Sequence, residues 1–164
     1  MNSIFFRSLT TMAFSLASFS LFAAQVAAPS ETQKMANAVS DEFSPAVLQA
    51  SANAAKAWLG VVDSNRYAES WDKLASLAKL TINKDEWVHL LDTTRRPLGA
   101  VSSREIQDQR TAKDPSGMPK GDYIVMFYKT VFSHKTGFEL VTLYLEDGKW
   151  QILTYQVDTS TSQK

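Results

Sequence analysis

Three arginines gather around one break in the chain, with Arg95 and Arg96 just before Pro97-Leu98-Gly99 and Arg104 just after it. A guanidinium is a rigid fork of donors that matches a carboxylate or phosphate with two parallel hydrogen bonds, so the cluster could hold an anion. It also has a structural reading, because cations stabilise the carbonyl end of a helix, and one of them could pair with an internal acid such as Asp63. Asp63 is the only acid close to a helical aromatic stripe, and Tyr67 follows it. Proton abstraction needs a carboxylate of suitable pKa and an oxyanion donor in a dry pocket. Asp63 or Tyr67 could transfer the proton with Arg96 as clamp, but nothing pairs Asp63 with a tyrosine. The case for an enzyme is thin, and no residue is assigned as catalytic.

Metal and cofactor chemistry find less support still. The chain has no cysteine, and His89 and His134 show no ligand spacing with each other or with a carboxylate. Neither a Gly-x-Ser-x-Gly elbow nor a Gly-rich phosphate loop occurs. Four tryptophans, Trp58, Trp71, Trp87 and Trp150, accompany Tyr67, Tyr128, Tyr144 and Tyr155. These aromatics could line an apolar cavity with polar tips, or they could be core. Candidate pocket or interaction residues are thus Arg96, Arg104, Asp63, Tyr67, Trp71, Trp87 and Tyr128.

The segments that must position these residues begin after a leader. Residues 1–28 hold one charge, Arg7, then an apolar run from Leu9 to Phe22 and small residues, the order of a signal peptide. Cleavage is expected within residues 23–28, giving a periplasmic or secreted protein without a membrane anchor. The 17 basic and 17 acidic residues balance, so there is no basic surplus of the kind nucleic-acid binding requires. Residues 29–43 read as a flexible lead-in, 44–158 as one domain and 159–164 as a disordered tail.

Within the domain, Ser44-Pro45 is a helix start, and Leu48, Ala52, Ala55, Leu59 and Val62 repeat at helical spacing. A second helix is predicted over residues 66–79. A third starts at Asn83 with Glu86 in a capping box, turns Trp87, Leu90, Leu91 and Thr94 inward, and ends at Pro97. Runs rich in Val, Ile, Tyr, Phe and Thr then predict strands at 100–111, 122–133, 138–146 and 149–157. Asp147-Gly148 predicts a tight hairpin that sets Leu145 opposite Trp150, Leu143 opposite Ile152 and Val141 opposite Thr154. The fold class is α+β: three helices on one face of a curved four-stranded antiparallel meander, an order similar to the cone-shaped, cystatin-like folds. The opposite face, with Phe138, Leu140 and Tyr144 beside Val157, Tyr155 and Leu153, is too apolar for full solvation. A homodimer or an envelope protein partner is expected to cover it.

This order resembles the cone-shaped fold of the nuclear-transport-factor-two and ketosteroid-isomerase superfamily. The local motifs Trp58-Leu59, Asp63, Tyr67, Ser70-Trp71, Trp87, Arg96-Pro97-Leu98-Gly99, Ser103-Arg104, Gly121-Asp122-Tyr123 and Asp147-Gly148-Lys149-Trp150 resemble, in order and spacing, the bacterial exported family called domain of unknown function 4019. The likeness covers about residues 50–157 and departs from the family in the linker Asp114-Pro115-Ser116-Gly117-Met118-Pro119. It implies an envelope protein and no settled activity. The functional expectation is a noncatalytic binding or interaction domain, the alternative a small cone-fold enzyme acting on an apolar ligand that bears an anionic group.

Overall fold

The computed structural model describes residues 43–160. The expected leader, the lead-in through residue 42 and the tail from residue 161 lie outside them. Helix α1 (Pro45–Asp63) starts where Ser44 Oγ accepts the Val47 N–H and proline occupies the first turn. Its buried stripe of Ala55, Trp58, Leu59 and Val62 removes apolar surface from water, the main driving force for docking on a sheet.

The single helix expected over residues 66–79 is instead two short ones, α2 (Tyr67–Asp72) and α3 (Ser76–Lys79). The sheet edge causes the break: Leu74 forms an isolated parallel bridge with Ile152, and the Ala75 N–H donates to the Ile152 carbonyl at 2.8 Å. A backbone that satisfies an edge carbonyl cannot also continue the helical ladder. Helix α4 (Lys84–Thr94) has the full Asn83/Glu86 capping box. Trp87 and Leu91 are buried, but Leu90 and Thr94, expected inward, face solvent. The Thr94 hydroxyl bonds to the Leu90 carbonyl instead.

A 3-10 turn (Arg96–Leu98) hands the chain to the sheet through Gly99, at φ 81° and ψ −161°. A Cβ on Gly99 would lie 2.0 Å from Ser133 Oγ, so glycine is required here both for its backbone angles and for space. Gly99→Ala is expected to destabilise the fold by at least about 1–3 kcal/mol, the usual cost of a forbidden backbone region. Thermal unfolding checks this, and an unchanged melting point would contradict it.

Strands β1 (Val101–Lys113), β2 (Asp122–Phe132), β3 (Thr136–Glu146) and β4 (Lys149–Asp158) form one antiparallel sheet in sequence order. Asp147 and Gly148 both have positive φ, 49° and 72°, as a type I′ hairpin needs. Leu145 faces Trp150 and Leu143 faces Ile152 as expected, but Thr142 then pairs with Thr154 and Val141 with Tyr155. The expected Val141–Thr154 pairing is therefore corrected by a β-bulge at Leu153, since an extra residue reverses the side of everything beyond it. Tyr155 is buried beside Val141, and Thr154, Gln156 and Asp158 take the outer face.

That outer face is consequently more polar along β4 than the sequence suggested. Part of the rest is covered from within: Tyr123 OH donates to the Pro119 carbonyl, Tyr144 OH to the Lys120 carbonyl, and Arg110 lies 5.0 Å from the centre of the Phe127 ring. Val131 and Phe138 stay exposed, Phe138 by 44%. On the inner face, Trp58, Leu59, Trp87 and Leu91 meet Ile124, Met126, Val141, Leu143, Ile152 and Tyr155. Helix α1 packs chiefly on β3 and β4, so the core-side residue Ile106 of edge strand β1 remains 48% exposed. No helix among the described residues is long and apolar enough to cross a membrane.

Candidate functional site

The structure brings two of the expected site residues, Asp63 and Arg104, into one cluster under the start of the sheet. Asp63 is the last residue of α1, and Arg104 projects from β1 on the inner face, where it pairs with Thr130 in β2. Arg104 Nη1 donates to Asp63 Oδ2 at 2.8 Å and Nη2 to Asp63 Oδ1 at 3.0 Å. On its other edge the guanidinium meets Glu139, through Nε at 2.6 Å and Nη2 at 3.1 Å. Arg95 completes the set from the end of α4, donating from Nη2 to Asp63 Oδ1 and from Nη1 to the Gly99 carbonyl, both at 2.9 Å. Its guanidinium also lies 4.5 Å from the centre of the Phe132 ring, a favourable cation–π placement.

Glu139 is the residue that sequence reasoning missed. It is 1% exposed and accepts hydrogen bonds from Thr130 Oγ1 and, at 2.6 Å, from Tyr155 OH in addition to Arg104. The signal was present: Glu139 has the same parity as Val141 and Leu143, so an inward-facing strand stripe contains an acid. A buried carboxylate needs a charged or hydrogen-bonding partner, and Arg104 has the matching parity on β1. Two carboxylates thus face two guanidinia, and the formal charges cancel. Arg95 Nε is the one buried side-chain nitrogen or oxygen without a hydrogen bond among the described residues.

The ionisation of neighbouring groups follows from this. Burial would lower the Arg104 pKa, but its hydrogen bonds to Asp63 and Glu139 outweigh that and hold it above its ordinary value. Burial pushes Tyr128 up to about 12, with Arg104 opposing the rise and Glu139 adding to it. Tyr155 is raised well above 10 by burial first and then by Glu139. A phenol whose pKa is raised by folding keeps its proton longer in the folded than in the unfolded chain. Its contribution is complete below the unfolded value near 10 and is lost as pH rises through the folded value. We expect stability to fall between pH 10 and 12, followed by denaturant unfolding alongside tyrosinate absorbance. Flat stability across that window would contradict it.

The other expected site residues lie elsewhere. Arg96 is exposed, pairs with Asp92 at 2.6 Å and stands 5.4 Å from the centre of the Tyr67 ring; with Tyr67 it lines an open cavity of about 400 Å³ whose lining does not include Asp63. Tyr67 is buried and donates to Asn65 Oδ1 at 2.8 Å; burial raises its pKa against the opposing effect of Arg95 and Arg96. Trp87 is core, its Nε1 donating to Ser70 Oγ. Trp71 donates to the Ile82 carbonyl, with Lys79 and Lys84 near its ring. Tyr128 does accompany Arg104, its hydroxyl turned to Met126 Sδ at 3.1 Å.

Arg104 and Tyr128 line a groove of about 360 Å³ between α1 and β1, with Gln49, Ala52, Asn53, Lys56, Leu59 and Ile106. The α1 residues fall at helical spacing along its flank, and Ile106 is the half-exposed residue left uncovered on β1. The volume lies at the lower end of small-molecule sites, and a mixed apolar and polar lining is what such sites have. Among the described residues no group of three or more His, Cys, Asp or Glu side chains could hold a metal ion.

A protein family described as "Protein of unknown function (DUF4019)" matches residues 54–155. That span includes Asp63, Arg95, Arg104 and Glu139 and the groove residues from Lys56 onward. No curated protein matches the chain.

Proposed function

The chain belongs to the DUF4019 family, and we propose that it is a noncatalytic binding domain, exported to the envelope, that takes a small ligand in the groove between α1 and β1. The observation that carries this reading is the groove itself: α1 sits over β3 and β4 and meets β1 through Asp63–Arg104 and Ser51–Gln109, and between those contacts a gap remains beside Leu59, Ile106 and Tyr128. The enzyme alternative has less support, because a general base must have a lone pair free for the proton it removes. Glu139 accepts four hydrogen bonds, which fills its lone pairs, and Asp63 accepts three from Arg95 and Arg104, which leaves it one. The order of helices before an antiparallel meander supports kinship with the nuclear-transport-factor-two-like cone fold, likewise as a proposal.

The test is a small-molecule fragment screen on the full chain, followed by amide chemical shifts. Hits should perturb Lys56, Arg104 and Ile106, and Ile106→Trp, which fills the groove from its open side, should abolish them. Hits that scatter over other surfaces and ignore this substitution would refute the reading, and turnover of a bound compound would restore the enzyme alternative. Export is supported by the order of residues 1–28. Expressed in a bacterial host, the chain should be recovered outside the cytoplasm with an intact mass corresponding to cleavage within residues 23–28; an unprocessed cytosolic product would contradict this. A partner on the outer sheet face has weaker support than the groove, since the bulge at Leu153 brings Thr154, Gln156 and Asp158 to that side.

A further inference from the structure

Resting on the reading of this groove as a binding site, we infer that its ligand is a monoanionic amphiphile, a single carboxylate on a short aliphatic or aromatic body. Two charged side chains line the groove, Lys56 and Arg104, and both are cations. Their contributions differ. Of the five N–H donors in a guanidinium, Arg104 directs four at Asp63 and Glu139. Its charge, with that of Arg95, is balanced by those two acids, so it offers the groove one remaining N–H of Nη1 and no net charge. Lys56 has no ion pair among the described residues and is exposed on the flank of α1. The groove therefore carries one uncompensated positive charge, and one negative charge complements it.

The rest of the lining fixes the body of the ligand. Ala52, Leu59, Ile106 and the Tyr128 ring supply apolar contact. The rim amides of Gln49 and Asn53 are bonded to each other at 3.1 Å and sit at the exposed mouth of the groove, where water satisfies their other donors and acceptors. A dianionic head would place its second charge toward Asp63 and Glu139 behind Arg104. An uncharged body would leave Lys56 to water.

The experiment titrates the full chain with octanoate, octanol and octyl phosphate, followed by the amide shifts of Lys56, Arg104 and Ile106. Octanoate should bind most tightly, and Lys56→Gln should weaken it about threefold, or roughly 0.7 kcal/mol, the scale of an exposed ion pair, without affecting octanol. Lys56→Arg should restore octanoate binding, and raised salt should weaken it. Because Lys56 is exposed, these variants should melt with the parent. If octanol matches octanoate and Lys56→Gln changes neither, the anion preference is wrong while the groove remains a binding site. Tighter binding of octyl phosphate would likewise overturn the monoanion. If none of the three compounds moves those amides but other fragments do, the amphiphile is wrong; if nothing moves them, the groove is not a site at all.

Discussion

Glu139→Ala should lower the stability of the domain by about 3–5 kcal/mol, the usual cost of removing one partner from a buried ion pair. The side chain is on the inner sheet face near the start of β3, 1% exposed. Its removal strands Arg104 with one acid in place of two and leaves the Thr130 and Tyr155 hydroxyls without their acceptor. The remaining charges, Arg95, Arg104 and Asp63, would then sum to one buried positive charge. Glu139→Gln keeps the shape and an acceptor oxygen, so it should cost less while still removing the charge. Denaturant unfolding measures both, as a fall in midpoint at constant slope. A loss below about 1 kcal/mol for Glu139→Ala, the range of exposed ion pairs, would show that the network does not hold the fold.

Trp58→Ala should be comparably damaging, at about 3–5 kcal/mol for a large aromatic removed from a packed core. The indole is 3% exposed and joins three elements at once. Its Nε1 donates to the Ser70 carbonyl in α2, its ring meets Tyr155 edge-on at 5.3 Å, and it lies 6.1 Å from Trp87 of α4. Truncation opens a cavity and leaves the Ser70 carbonyl with only the 3.3 Å bond from the Lys73 N–H. Trp58→Phe restores most of the volume and not the hydrogen bond, so the difference between the two variants separates packing from the Ser70 contact. If Trp58→Ala unfolded within about 1 kcal/mol of the parent, the typical surface-substitution range, Trp58 would not be the joint described.

The parts of this fold that were legible in the sequence are those set by local chemistry. Ser44-Pro45, the Asn83/Glu86 box and the Asp147-Gly148 hairpin each satisfy backbone groups within a few residues, and runs rich in Val, Ile, Tyr, Phe and Thr mark the four strands. The break between α2 and α3 was not legible, because its cause is a carbonyl of Ile152, far along the chain. The bulge at Leu153 is the same kind of case: alternation predicts an unbroken ladder, and only the fit of Tyr155 beside Val141 and Glu139 displaces it. For the site, the pairing of an arginine with Asp63 could be anticipated from charge. The engaged residue is Arg95 rather than Arg96, and this depends on helix phase at the last turn of α4, which sequence reading places only to within a residue or two. Lys56 carries no signal of its own in the sequence, since what distinguishes it is the gap beside β1 that only the fold creates.

The single supernumerary residue at Leu153 makes β4 a strand with two sidednesses. Excising it would leave an unbroken ladder in which Thr154 still meets Thr142 and Tyr155 still meets Val141, so the phenol that seals Glu139 would keep its inward side. Lengthening the strand by one more residue at this locus is the opposite case: unless the bulge widened to absorb it, the phenol would swing out to solvent and a threonine would take its berth in the interior. The locus should therefore accept a one-codon deletion far better than a one-codon insertion.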